Sequence, residues 1–241
     1  MSVRPPVRAV IFDWGGTLSH YANIELIDMW RLAADHLAGH SGRSAGDILA
    51  RLVDVEERMW VRTTTDARAA SLSDLLREAT SELGLDVAEA IIEEAGTRYL
   101  DTWTPHIRHF EDARATLAAL RERGLRVGLL SNTHWPPAYH ERFLERDGLA
   151  AHIDARCYTS EMTYMKPHPE AFRTALTAVG VEAAAAVYVG DRLFDDVLGA
   201  QRVGMRAVHR PNAAIPPHEG VIPDATIETL ADLLPILDRW R

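Results

Sequence analysis

The chain has 241 residues, of which 47% are hydrophobic and 25% are charged, and its formal net charge is −9. This composition is typical of a globular protein with one large domain, or with a core domain that carries a smaller insertion. The acidic balance argues against nucleic acid and anionic membranes as partners, because a negative surface repels both. The single cysteine, Cys157, excludes an intrachain disulfide and a zinc site built from several cysteines.

Targeting and membrane segments are not expected from the hydropathy pattern. The first apolar run, over residues 9–12, is too short for the core of a signal peptide. The rest of the sequence offers no run near the roughly 20 apolar residues that cross a bilayer. We therefore expect a cytoplasmic protein.

The first part of the chain predicts one strand followed by helices. Residues 7–12 are apolar and run into Asp13, Trp14 and two glycines, a pattern that indicates a buried strand entering a tight turn. From about residue 24 to residue 101, apolar residues recur at helical spacing, with glycines between the runs. This stretch predicts about four helices and no strand.

After residue 104 strands and helices alternate. Predicted strands lie at 126–130, 153–157, 186–189 and 205–208, and predicted helices at 111–123, after 137, at 169–180, up to 201 and at 229–240. This alternation predicts an α/β fold with a doubly wound, Rossmann-like parallel sheet that helices cover on both faces. Residues 20–103 then form a helical cap domain, inserted into a core domain made of residues 1–19 and 104–241.

Lysine usage singles out one residue. Of the 26 basic residues, 25 are arginine and one, Lys166, is lysine. A codon bias explains the ratio but not why one position keeps lysine. Because lysine is a compact point charge and arginine is a wide planar fork, a site that needs one small cation rejects arginine. We therefore predict a specific role for Lys166.

Four polar residues follow the predicted strands: Asp13, Ser131, Lys166 and Asp191. In an open α/β sheet, the carboxyl ends of the strands form the ligand-binding crevice, so the fold is expected to bring these residues together. Asp13 can act as a nucleophile, and Asp13 with Asp191 offers oxygen ligands to Mg²⁺. Ser131 and Lys166 can hold phosphate oxygens. The set therefore suits phosphoryl transfer.

Four segments resemble the motifs of the haloacid dehalogenase superfamily, in the same order: VIFDWGGTL, LLSNT, KPHPE and GDRLFDD. The helical insertion also lies where this superfamily places a cap. The resemblance implies a hydrolase that uses Mg²⁺ and forms a covalent intermediate on Asp13. It assigns metal binding to Asp13, Gly15 and Asp191, and a supporting role to Asp195 and Asp196. It assigns catalysis to Asp13, Ser131 and Lys166. Substrate binding is assigned to Gly16, Thr17, Ser131, Asn132 and Lys166.

One position departs from the pattern. Phosphatases of this superfamily carry a second aspartate two residues after the nucleophile, and here that position is Gly15. The glycine carbonyl can still bind a metal, but no side chain is present to transfer a proton. General acid–base catalysis is typically worth roughly 10²–10⁴ in rate. The substitution therefore predicts a slow enzyme or an altered reaction.

Three functions follow from this departure. The main expectation is a phosphatase of a small phosphorylated metabolite, which forms an aspartyl phosphate and in which His20 or His134 supplies the acid or the leaving group needs none. The second is a hydrolase like the 2-haloacid dehalogenases, which lack the acid but do not use the metal site. The third is a weak or inactive protein that binds a phosphorylated ligand or has a regulatory role. Phosphonoacetaldehyde hydrolases also have a small residue at the Gly15 position, but they need a cap lysine, and its absence from residues 20–103 argues strongly against that activity.

Several other residues have simple interpretations. We expect Trp30, Trp60 and Trp103 to pack in the core of the helical domain. Arg51, Arg58 and Arg62 are expected on a solvated helix face, and His106 and His109 are expected at the surface.

Overall fold

The structure is a computed structural model that describes residues 5–22 and 25–240. Strand β1 spans Ala9–Phe12, and four helices follow it: α1 (Leu26–Ser41), α2 (Ala45–Val61), α3 (Leu72–Glu82) and α4 (Glu89–Trp103). The remaining elements are α5 (Ala113–Glu122), β2 (Arg126–Ser131), α6 (Pro137–Arg146), β3 (Ala155–Tyr158), α7 (Pro169–Val179), β4 (Ala186–Gly190), α8 (Gly199–Arg202), β5 (Arg206–His209), β6 (Ala225–Thr226) and α9 (Leu233–Arg239). No helix of the described residues is long and apolar enough to cross a membrane.

The sheet is parallel throughout, with the strand order β3-β2-β1-β4-β5-β6. Strand β1 lies at the centre and pairs with both β2 and β4. The chain builds the sheet outward on one side through β2 and β3, and on the other through β4 to β6. The strand order therefore reverses next to β1, and the carboxyl ends of β1, β2 and β4 meet at one edge.

Both faces of the sheet are buried, as the sequence predicts. In β1, Val10 and Phe12 belong to one apolar core, and Ala9 and Ile11 belong to the other. Successive strand residues point to opposite faces, so an uninterrupted apolar run means that both faces are covered. The predicted α/β fold is confirmed.

The four helices after β1 form a group of their own. Helix α1 packs against α2 and α4, and α3 packs against the same two helices. Trp30 is fully buried in this group and stacks on Tyr99 with 3.9 Å between the ring centroids. Arg58 of α2 forms ion pairs with Glu78 and Glu82 of α3. The boundaries of a separate domain at residues 20 and 103 stay a prediction.

Two stretches differ from the predicted elements. Leu193–Leu198 is π-helical and continues into α8, whereas the sequence indicates one ordinary helix. Isolated π-helical turns are rare and often occur at functional sites. His109 is the second difference, because its side chain is only 3% exposed and contacts Asp147 with Nδ1 2.7 Å from Oδ2. The expectation of a surface histidine was wrong.

Candidate active site

Three carboxylates converge at the carboxyl edge of the sheet. Asp13 directly follows β1, and Asp191 directly follows β4, the strand beside it. Asp196 lies in the π-helical segment. One oxygen from each of Asp13, Asp191 and Asp196 lies within 4.8 Å of the other two, and all three residues are buried. We call these residues the carboxylate cluster.

Two glycines make this close approach possible. Gly16 has a φ of 76°, and a Cβ atom there would lie 2.1 Å from Oδ2 of Asp191. A Cβ atom on Gly190 would lie 2.3 Å from Cγ of Asp196. Any side chain at either position would therefore displace a carboxylate of the cluster.

Lys166 is buried beside the cluster, with 2% of its surface exposed. Its Nζ donates to Oδ1 of Asp13 at 2.7 Å, to Oδ1 of Asp196 at 2.7 Å and to the Tyr188 hydroxyl at 2.8 Å. These three bonds use all three ammonium protons. Burial alone would lower the pKa of Lys166, but the two carboxylates raise it above its ordinary value. The lysine therefore stays charged.

Asn132 and Tyr188 hold Lys166 in place. The Asn132 side chain donates to the Lys166 carbonyl at 2.9 Å and accepts from its backbone N–H at 2.8 Å. The Tyr188 hydroxyl, which accepts from Nζ, donates to the carbonyl of Leu130 at 2.9 Å. Tyr188 was missed by the sequence analysis, because a tyrosine within an apolar strand has the pattern of a core residue.

The carboxylate cluster suits a divalent cation. Both side-chain oxygens of Asp191 are buried and have no hydrogen-bond partner within residues 5–22 and 25–240. Burial, reinforced by the charges of Asp13 and Asp196, raises the pKa of Asp191 to about 8. Burial also raises the pKa of Asp13 to about 6, although Lys166 acts in the opposite direction. Buried carboxylate oxygens without donors are the ligands that Mg²⁺ prefers, so the residues present fit this ion.

The two predicted supporting acids differ in their contacts. Asp196 accepts from Lys166 and, through Oδ2, from the backbone N–H of Arg192 at 2.9 Å. Asp195 has one buried oxygen without a partner in the described chain, and burial raises its pKa to about 6. The role of the Gly15 carbonyl as a metal ligand stays a prediction.

A cavity of about 450 Å³ opens from Asp13 between the sheet edge and the helices. Ser131, Asn132 and Lys166 line it close to the cluster. Five aromatic side chains, here called the aromatic wall, line another part of it: Trp14, Trp60, Tyr99, Trp103 and Trp135. Trp60 and Trp103 pack against the apolar core as expected and also line the cavity, whereas Trp30 lies wholly in the core.

Other predicted site residues lie differently. Gly16 and Thr17 are not among the residues that line the cavity, and Oγ1 of Thr17 is buried with no partner in the described chain. His20 lines the cavity and packs on Phe110 with 3.8 Å between the ring centroids. His134 lines it next to the aromatic wall. The substrate-binding roles of Gly16 and Thr17 stay predictions.

The space in front of Gly15 is filled by Tyr21. A Cβ atom on Gly15 would lie 3.5 Å from Cε1 of Tyr21 and 4.0 Å from its hydroxyl oxygen. Gly15 does not have a left-handed φ, unlike Gly16. The Tyr21 hydroxyl lies 3.5 Å from the guanidinium of Arg192. A phenol therefore lies where the superfamily's second aspartate would project, and the sequence pattern gives no sign of it.

A sequence model of the haloacid dehalogenase-like hydrolases matches residues 7–204. The chain belongs to this family. The match includes the whole carboxylate cluster, Lys166 and the four helices after β1. It confirms the resemblance on which the sequence analysis relied.

Relatives of this hydrolase include several phosphatases. It is 29% identical to the glyceraldehyde 3-phosphate phosphatase of Methanopyrus kandleri over 96% of its own length and 97% of the relative's. It is 32% identical to the phosphoserine phosphatase of Thermus thermophilus over 73% and 72% of the two chains. It is 37% identical to the glyceraldehyde 3-phosphate phosphatase of Pyrococcus abyssi, but that match spans only 45% of the relative.

Solved structures similar to this hydrolase carry two different activities. A 2-haloacid dehalogenase from Pseudomonas syringae matches with a TM-score of 0.73 and 25% identity, over 98% of this chain and 100% of the other. A phosphatase of the family from Thermococcus onnurineus matches with a TM-score of 0.65 and 26% identity, over 96% and 98%. The fold therefore does not separate the two activities, and the side chains of the site must decide.

Proposed function

We propose that this hydrolase is a Mg²⁺-dependent phosphatase of small phosphorylated metabolites, with Asp13 as the nucleophile. The observation that carries the proposal is the Asp191 carboxylate, which is buried beside Asp13 and receives no hydrogen bond from any described residue. A dehalogenase that uses no metal has no need for such a group. The phosphatase relatives support the same function.

The proposed reaction takes place in two steps at Asp13. The carboxylate oxygen that Lys166 does not hold attacks phosphorus, and the bond from phosphorus to the leaving oxygen breaks. Water then attacks the phosphorus of the aspartyl phosphate, which releases inorganic phosphate and restores the carboxylate. Lys166 keeps Asp13 ionised and oriented, because Nζ lies 2.7 Å from Oδ1.

The metal would be held by Asp13 and Asp191, with Asp196 close enough to assist. Bound Mg²⁺ would neutralise the charge of the carboxylates and of the phosphate as the two approach each other. Ser131 lines the cavity beside Asp13 and is available to donate to a phosphate oxygen. These roles follow from the donor types present in the site.

The leaving group receives little help in this site. Gly15 has no side chain that can donate a proton, and the nearest group in that space is the phenol of Tyr21. Burial and the charge of Asp191 raise the pKa of the Tyr21 phenol further above its ordinary value and away from neutral pH, so it protonates a leaving oxygen poorly. We therefore expect slow turnover of alkyl phosphates.

In this proposal the four helices α1–α4 act as a cap. The aromatic wall, which they share with the sheet edge, surrounds the part of the substrate that is not phosphate. The small-molecule partner follows from the size of the cavity, about 450 Å³. The cytoplasmic location expected from the sequence stays a prediction.

A panel assay tests the proposal. Purified protein is incubated with Mg²⁺ and a set of phosphomonoesters, and with 2-haloacids in parallel, while phosphate and halide release are measured. We expect phosphate release that stops when the metal is chelated and returns when Mg²⁺ is added. Halide release would instead support the dehalogenase alternative. Saturable binding of phosphate esters without release of either product would support a ligand-binding protein.

A further inference from the structure

The aromatic wall offers ring surfaces against which an aromatic ligand can pack. Trp103 lies 5.1 Å from Trp135 between ring centroids, and Trp135 lies 5.9 Å from Trp14. These rings meet at angles of 57° and 74°, so they pack against one another tilted or edge to face and together form one aromatic surface beside the cavity. Aromatic pairs favour offset or edge-to-face contacts, which such walls offer to an aromatic ligand.

The charged residues that line the cavity disfavour a second anionic group on the ligand. Among the described lining residues, the lysine and arginine side chains are those of Lys166 and Arg192, and both lie at the carboxylate cluster. Beside the aromatic wall the cavity is instead lined by Glu56, which is buried with 3% of its surface exposed. Its carboxyl oxygens accept from Trp30 Nε1 at 2.5 Å and from Trp60 Nε1 at 3.3 Å.

Glu56 is therefore a buried carboxyl group whose oxygens accept from neutral indole N–H groups, and no described lysine or arginine of the cavity lining lies beside it. A carboxylate or second phosphate of a ligand beside it would lie between like charges and without a cation. A substrate with a second anionic group is disfavoured in this part of the cavity.

His134 offers a ring nitrogen to a ligand next to Glu56. The Tyr99 hydroxyl lies 3.4 Å from Oε1 of Glu56 and 3.0 Å from Nε2 of His134. The Tyr99 hydroxyl can donate to either of these atoms, so it engages the Nε2 side of the His134 ring and leaves Nδ1 available. Nδ1 is buried and has no partner in the described chain. A hydroxyl or amino group on the ligand would satisfy it.

The chemistry at Gly15 points to the same class of ligand. Without a general acid, the leaving oxygen must be stable as an anion. A phenol, with a pKa of about 10, needs far less protonation than an aliphatic alcohol. This argument depends on the absence of a side chain at Gly15 and is independent of the shape and charge of the cavity.

We propose that the substrate is the phosphate monoester of a phenol that carries no second anionic group and has a neutral hydrogen-bonding group on its ring. The proposal rests on the phosphatase function proposed above and names the substrate class of that site. The phosphate lies at Asp13, and the ring lies within the aromatic wall.

Phosphonates test the binding part without turnover. Calorimetry with Mg²⁺ compares benzylphosphonate, 4-carboxybenzylphosphonate and ethylphosphonate on the unmodified protein. We expect benzylphosphonate to bind about tenfold more tightly than ethylphosphonate, and about tenfold more tightly than the carboxylated analogue. Equal dissociation constants, or no binding of benzylphosphonate, would overturn the substrate class. If benzylphosphonate binds with the expected preference but phenyl phosphate is not hydrolysed, the phosphatase function would be overturned instead.

A pair of variants on α2 tests the part that Glu56 has in this selectivity. Glu56→Gln keeps the size of the side chain and removes its charge, so it should reduce the tenfold penalty on the carboxylated analogue to about twofold. Glu57→Gln, at the exposed neighbouring position, should leave the penalty unchanged. An unchanged penalty in a folded Glu56→Gln variant would contradict the proposal. If that variant fails to fold, the comparison of the three phosphonates on the unmodified protein still decides it.

Discussion

One buried carboxyl group lies in the carboxylate cluster and another lies beside the aromatic wall, but the two groups have opposite surroundings. Asp191 in the cluster has no donor for either oxygen within the described chain. Glu56 beside the wall accepts hydrogen bonds from the indoles of Trp30 and Trp60, and it lies 3.4 Å from the Tyr99 hydroxyl. A buried carboxyl group without donors suits a cation, whereas the oxygens of one supplied with neutral donors are satisfied without a cation. The same functional group therefore indicates a metal in one place and exclusion of anions in the other.

The largest expected effect concerns Asp13. Asp13→Asn removes the nucleophile and should reduce phosphate release from phenyl phosphate at least about 10³-fold. Asp35→Asn, at an exposed position of α1, is the matched control and should retain full activity. Steady-state phosphate release, with thermal melting as a check on folding, measures both. A folded Asp13→Asn variant with normal turnover would place the chemistry elsewhere in the cavity.

Lys166→Arg tests whether the cluster needs a point charge. A guanidinium keeps the positive charge but cannot place one nitrogen within 2.7 Å of both Asp13 and Asp196 and 2.8 Å of Tyr188. We expect kcat/KM to fall by about 10²-fold. Arg173→Lys, an exchange at the surface of α7, should have no effect. Unchanged kinetics in Lys166→Arg would leave codon bias as the explanation of the single lysine.

The cluster was more predictable from the sequence than the wall. Asp13, Ser131 and Asp191 follow strands, and parallel strands bring their carboxyl ends to one edge, so strand order alone gathers them. Lys166 was singled out by composition before any motif was considered. Asn132 was predicted to bind substrate, yet its amide holds the backbone of Lys166. That role depends on side-chain direction, which sequence spacing does not specify.

The aromatic wall depends on contacts between distant segments. Glu56 lies on a helix with charged neighbours, and its sequence pattern is that of an exposed position. Only the packing of α1 against both α2 and α4 places it beside Trp30 and Tyr99. Tyr21 likewise reaches Gly15 through the course of a loop, with no periodic signal to predict it.

The variant Gly15→Asp tests whether a general acid for the leaving oxygen can be restored. The backbone of Gly15 does not have a left-handed φ, so an aspartate is not strained there, but its carboxyl would extend toward the ring of Tyr21. We expect Gly15→Asp alone to increase hydrolysis of an alkyl phosphate by no more than about tenfold. The double variant Gly15→Asp/Tyr21→Ala should gain up to about 10²-fold over Tyr21→Ala.

Aryl phosphates provide the internal comparison for this experiment, because their leaving groups need less protonation and should gain less. Initial rates on one alkyl and one aryl ester measure the difference. A folded double variant with no gain on the alkyl ester would mean that another group already supplies the proton, with His20 and His134 the first candidates.

The smallest expected effect concerns the stability of the region behind the aromatic wall. His140 is buried between Trp135 and Tyr158, with ring centroids 5.3 Å and 4.7 Å away. Burial lowers its pKa from 6.5 to about 3. Because the unfolded chain binds a proton below about pH 6.5 and the folded chain does not, acid favours unfolding. His140 should therefore cost roughly 1 kcal/mol of stability for each pH unit between about pH 6 and pH 4.

Urea unfolding of His140→Gln at several pH values measures this contribution. Glutamine does not titrate, so the free energy of unfolding of the variant should fall less steeply with acid than that of the unmodified protein. The variant loses the ring contacts and is expected to be less stable at pH 7, so the slope, and not the absolute value, is the test. His218→Gln, at an exposed position, should keep the original slope. Equal slopes for all three proteins would mean that His140 accepts a proton in the folded state, and that the region behind the aromatic wall tolerates a charge that its burial should exclude.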